Sequence, residues 1–212
     1  MGSPTPEPAG QSFPIEATSY LGGAMEETNA RGRVELTHED VHAGERGTRA
    51  RCLPEPWMCD VFRLDGSLRD IRVLDTTRVE WIAVLERLRA VADETEVEHP
   101  YPRLDPVRPA CADLFSVWAD EPEGQGTSFS FRARFGAVWF FALPCDEEEI
   151  EFSVWPEDVL DGAGVAAVLR FLVEVATASQ RGSLLTGEVV RYDPGMPTLI
   201  SHDPVTGITS HI

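Results

Sequence analysis

His38, Glu39 and His42 belong to the one segment whose residue types and spacing match a catalytic motif, H-E-x-x-H. On a helix, two histidines four apart share one face and can bind one zinc ion. The glutamate between them then serves as general base toward the zinc-bound water. Such chemistry would make the chain a metal-dependent hydrolase. The surroundings argue against it. Asp40 stands inside the motif, Gly44 and Gly47 follow at once, and Glu45 occupies the place where the extended motif carries glycine. Each glycine in a helix interior costs about 1 kcal/mol. The segment reads first as a polar loop after a short strand at Val34–Leu36, with the zinc site as the alternative.

Other candidate groups carry less. Ser201, His202 and Asp203 are adjacent, and neighbours in an extended chain point to opposite sides, so they cannot form a triad with one another. They read as a polar turn before Pro204. Cys52, Cys59, Cys111 and Cys145 form no C-x-x-C pair and read as free thiols. Gly22-Gly23 and Gly162-Ala163-Gly164 lack the spacing of a dinucleotide loop and read as turns.

Composition excludes more than motifs establish. All 18 basic residues are arginine, and the 36 acids leave a net charge of −18 across 212 residues. Without lysine there is no Schiff-base enzyme and no phosphate-loop or kinase-type lysine. Arginine-only usage reads as codon pressure in a GC-rich bacterium. Nucleic-acid binding, which needs a basic face, is not expected. The Pro-rich start, residues 1–14, has neither basic leader nor apolar core, and Arg170 and Glu174 interrupt the most apolar run. Neither a secretory signal nor a membrane span is expected, which points to the cytoplasm.

The acids cluster at Asp93–Glu98, at Asp120, Glu121 and Glu123, and at Asp146, Glu147, Glu148, Glu149 and Glu151. Acidic clusters serve solubility, or they steer a basic partner by long-range attraction. Trp155 follows the third cluster. It alternates with the apolar Phe152 and Val154, so it falls on the outward face of its strand and is the best candidate anchor among Trp118, Trp139 and Trp155. The function expected is a non-enzymatic acidic protein that binds a basic protein, in general character like small immunity or antitoxin proteins, with no cofactor. Asp146, Glu147, Glu148, Glu149, Glu151, Trp155, Asp120 and Glu121 are its candidate contact residues.

These residues must be placed by an α+β fold: an antiparallel meander with two principal helices. Residues 1–14 read as a disordered tail and 15–212 as a single domain. Trp57–Leu64 and Leu68–Leu74, joined by Asp65-Gly66-Ser67, read as a hairpin. Thr77 and Glu80 form a capping-box pair, and Trp81, Val84, Leu85, Leu88, Val91 and Ala92 a helical stripe. Glu94–Pro109 reads as a linker and Ala112–Ala119 as a strand. Phe129, Phe131, Ala133 and Phe135 alternate with polar residues, Ala137–Leu143 is apolar throughout, and Ile150, Phe152 and Val154 alternate again. That predicts three consecutive strands, the middle one central. A second helix, capped by Asp161, covers Val165–Ala178, and strands at Leu185–Arg191 and Thr198–Ser201 close the chain. The halves 15–99 and 110–212 read either as related β-hairpin-plus-helix lobes or as two independent uses of a common element.

Overall fold

The computed structural model describes residues 52–119, 129–188 and 195–211. The H-E-x-x-H segment, the residue 1–14 tail, the strand expected at Val34–Leu36, and Asp120, Glu121 and Glu123 lie outside the described residues.

Eight strands form one open antiparallel sheet: β1 (Arg69–Leu74), β2 (Glu94–Glu98), β3 (Ser130–Phe135), β4 (Val138–Ala142), β5 (Glu149–Val154), β6 (Ser183–Gly187), β7 (Thr198–Asp203) and β8 (Ile208–His211). Their order is β2-β3-β4-β5-β1-β6-β7-β8. The meander β2 to β5 is thus continued by β1, from the first half of the chain, before β6 to β8 complete the sheet. Ile71 of β1 is paired with Phe152 on one side and Leu185 on the other. The α+β expectation holds. Among the described residues, four α-helices accompany the sheet: α1 (Pro56–Val61), α2 (Arg78–Val91), α3 (Cys111–Ala119) and α4 (Gly162–Ser179).

Both principal helices follow their sequence signals. The stripe of α2 buries Trp81, Val84, Leu85 and Leu88. Thr77 and Glu80 are in place, but their side chains bond each other at 2.7 Å, and Thr77 makes no side-chain cap to the helix backbone. Asp161 does cap α4, accepting the Gly164 N–H at 2.9 Å. The Gly162-Ala163-Gly164 expectation changes here: these residues form the first turn of α4. A Cβ on Gly164 would lie 3.1 Å from the Val159 backbone, so glycine lets the helix start close beneath that turn. By length and composition α4 could cross a membrane, yet its Val165, Val168, Phe171, Leu172 and Val175 are buried in the core. Phe171 stacks on Phe140 of β4 with ring centres 3.9 Å apart and meets Phe135 and Phe152 edge-on.

Three expectations are corrected. The Trp57–Leu74 hairpin is a short helix followed by a strand. Pro56 opens α1, a position where its missing N–H costs nothing, and the Asp65-Gly66-Ser67 turn joins that helix to β1. Ala112–Ala119 is the helix α3, because its buried residues Cys111, Leu114 and Phe115 recur at helical spacing. Glu94–Glu98, read as linker, is the edge strand β2, whose glutamates are exposed while Thr95 and Val97 are half-buried. Glutamates on an edge strand discourage pairing with another sheet. The chain's last turn differs as well: Ser201–Asp203 ends β7, and a further strand, β8, follows.

The core lies between one face of the sheet and the helices. Ile71, Val73, Phe131, Phe135, Phe140, Phe152 and Leu185 point toward α2 and α4, and α3 packs on α2 through Phe115 against Trp81. Alternation therefore sends Asp70, Arg72, Arg132, Arg134, Trp139, Phe141, Glu149, Glu151 and Ser153 to the opposite face. None of the four described helices covers that face.

Candidate functional site

The face that no described helix covers has two unlike parts. Its centre is a charged network on β1 and β5. Arg72, 1% exposed, bonds Glu149, bonds Glu151 at 2.7 Å and Asp70 at 3.1 Å, and Asp70 in turn accepts the Ser153 hydroxyl at 2.9 Å. The pairing Arg72↔Glu151 and Asp70↔Ser153 places all these groups side by side without distorting the sheet. Three carboxylates share one guanidinium, and the balance shows in the titration. Burial pushes Glu151 up to about 7 against the pull of Arg72, with Asp70 and Glu149 adding to the rise. Two carboxylates of the expected contact cluster, Glu149 and Glu151, thus belong to this network.

The rest of that cluster clasps the start of α2. Thr76 donates its N–H to the Glu148 carbonyl at 2.8 Å and its hydroxyl to the Glu147 carbonyl at 2.9 Å. The Trp81 indole N–H reaches the Asp146 carbonyl at 3.0 Å, and Arg78 Nε bonds the Glu147 carboxylate at 2.9 Å. Asp146 and Glu148 remain exposed on the turn. The Asp93–Glu98 cluster is matched by arginines too: Glu94 meets Arg134 at 3.0 Å and Glu96 meets Arg132 at 3.7 Å across β2 and β3.

The second part of the face is apolar. Trp139 and Phe141 of β4 are half-buried there, and Leu143 just beyond the strand is 61% exposed. Phe141 is on this face because Phe140 and Ala142 take the inward positions. Phe141 pairs with Ser153 and Phe140 with Val154, and Trp155 follows directly on Val154 at the end of β5. Trp155 is 45% exposed. The Arg134 guanidinium lies 5.8 Å over the Trp139 ring. Of the other candidate tryptophan, Trp118, the ring is half-buried and meets Phe115 edge-on.

No family model, curated protein or solved structure matches this chain.

Among the described residues, no three His, Cys, Asp or Glu side chains converge as metal ligands would. Ser201, His202 and Asp203 do alternate: His202 is buried and bonded to Thr209 at 2.8 Å, and burial lowers its pKa. Cys111 is buried and its thiol pushed up to about 12 by that burial, which leaves it inert as a nucleophile. An open groove of about 470 Å³ runs between α2 and α4, lined by Val79, Ala83, Ala178 and the ion pair Glu80–Arg181. Sequence reasoning missed the Arg72 network, although Asp70 and Arg72 alternating with Ile71 and Val73 already marked a strand with one charged face.

Proposed function

We propose that this chain is a bacterial, cytoplasmic, non-enzymatic protein that works by binding a basic protein, in the manner of an immunity or antitoxin-type inhibitor. The observation that carries the reading is Trp155. Trp155, 45% exposed just past the end of β5, is followed closely by the exposed Glu157, so an apolar anchor stands beside negative charge. Large aromatics supply much of the energy of protein interfaces. Charges around them set the rate and the choice of partner more than the affinity. The net charge of −18 gives a long-range field of the right sign to steer a basic molecule.

The test is capture from the native host followed by kinetics with the purified partner. The association rate should fall steeply between about 0.05 M and 0.5 M salt, as screening shortens the reach of the field. Replacing the exposed Glu148 and Glu157 by Gln should lower that rate, and Trp155→Ala should raise the dissociation rate. A partner whose association ignores both salt and the glutamine changes would remove the electrostatic mechanism.

A further inference from the structure

β4 is apolar on both sides. Val138, Phe140 and Ala142 enter the core, while Trp139 and Phe141, with Leu143 after them, point the other way. A run of this kind is the pattern of a strand covered on both faces. The described helices cover one face. The residues on the other are large, Trp155 follows directly on Val154, the β5 partner of Phe140, and Leu143 and Trp155 are well exposed. Contiguous exposed apolar surface of this kind marks an interaction site.

The charges around the row decide what can sit on it. Glu94, Glu96 and Glu98 border it on β2, and Glu149, Glu151 and Asp70 border it on β5 and β1. Arg132 and Arg134 on β3 and Arg72 on β1 answer them. Among the described residues, Arg134 and Arg132 match Glu94 and Glu96, Glu98 stands exposed beyond them, and Glu149 and the part-protonated Glu151 share the charge of Arg72 with buried Asp70, so the described border is negative on balance. A second copy of the chain would bring the same negative border and the same net charge of −18. A nucleic acid would bring phosphates. A surface with an apolar centre and an arginine or lysine rim meets both the row and its border, and this is the usual layout of a protein interface.

Resting on the protein-binding reading above, we infer that the docking surface is the row Trp139–Phe141–Leu143–Trp155, on the face that no described helix covers. Its occupant is the apolar-centred, basic-rimmed surface of another protein. Trp155 and Leu143 anchor it, and Trp139 and Phe141 form the floor.

The experiment uses the full chain and two synthetic amphipathic peptides, one with leucines opposite lysines and one with leucines opposite glutamates. Affinities are measured by anisotropy of the labelled peptides. The lysine peptide should bind and the glutamate peptide should not. The double change Trp155→Ala with Leu143→Ser should weaken the lysine peptide about tenfold or more. Val79→Ser, on the outer surface of α2, should leave it unchanged. Thermal unfolding checks that each variant keeps its fold, and Trp155→Phe offers a milder variant that should retain part of the affinity. If Val79→Ser weakens binding and the double change does not, the docking surface is the α2–α4 groove; the inference fails while a basic partner survives. If both peptides bind equally, the charge argument fails, and the proposed function fails with it. If neither peptide binds, the row is not a docking surface.

Discussion

The two faces of one sheet are built differently. The inward face is closed by the chain's own helices. Phe140, Phe135 and Phe152 surround Phe171 of α4, and their ring contacts need no polar partner. The outward face carries an arginine ringed by three carboxylates and, beside it, a row of aromatic residues that no described helix covers. The inward face stabilises the fold by removing apolar area from water. The outward face holds groups whose value depends on what surrounds them: charges that must be matched and apolar surface that gains from being covered. A sheet can be stable from one side and leave the other to recognition.

The largest expected effect tests the inward face. Phe171→Ala removes a fully buried ring and should cost about 3–5 kcal/mol in chemical denaturation, whereas Phe141→Ala on the outward face should cost only about 1 kcal/mol. Equal costs would mean that the outward face is as much a core as the inward one.

Next comes the network. Arg72→Ala leaves Asp70, Glu149 and Glu151 crowded without their shared cation and should cost about 3–5 kcal/mol. Replacing Arg72 by Met together with Asp70→Asn and Glu151→Gln should recover most of that loss, since the penalty comes from unmatched charge and not from missing volume. A triple variant no better than the single one would show that the arginine acts through packing.

A smaller effect is its pH dependence. Glu151 titrates in the fold at about 7, above its ordinary 4.5. The folded chain therefore holds this proton more tightly than the unfolded chain. The associated stability is complete below about pH 4.5 and is lost as the pH rises through about 7. Glu151→Gln keeps the neutral form at every pH, so its stability relative to the unchanged protein should grow from about pH 5 to about pH 8. His202 acts in the opposite sense: its pKa is lowered by burial, and its contribution is present above about 6.5 and lost as the pH falls. A flat difference between Glu151→Gln and the unchanged protein would mean that Arg72 alone decides the charge of Glu151.

How much of this was legible follows from where each signal lies in the chain. The α2 stripe, the Asp161 cap and the alternation of Phe129 to Phe135 are local, and the structure places those elements where the sequence put them. Local pattern also put Trp155 outward. Short segments were misread: α1 and α3 have few turns and no side-chain cap in the sequence, and a brief apolar run does not separate helix from strand. The apolar run Ala137–Leu143 marks a strand but hides which of its two sides is covered. The Arg72 network could not be read at all. Its partner Glu149 lies 77 residues away, and only the insertion of β1 beside β5 brings them together. The zinc alternative at His38, Glu39 and His42 lies outside the described residues and gains no support from the rest.

The most direct measurement follows the indole N–H resonances of the five tryptophans while the lysine-faced peptide is added. Trp139 and Trp155 should shift together and saturate at one concentration, while Trp81, buried and bonded to the Asp146 carbonyl, stays in place. A shift of Trp81, the one tryptophan of α2, with Trp139 and Trp155 unmoved, would contradict the assignment of recognition to the outward face.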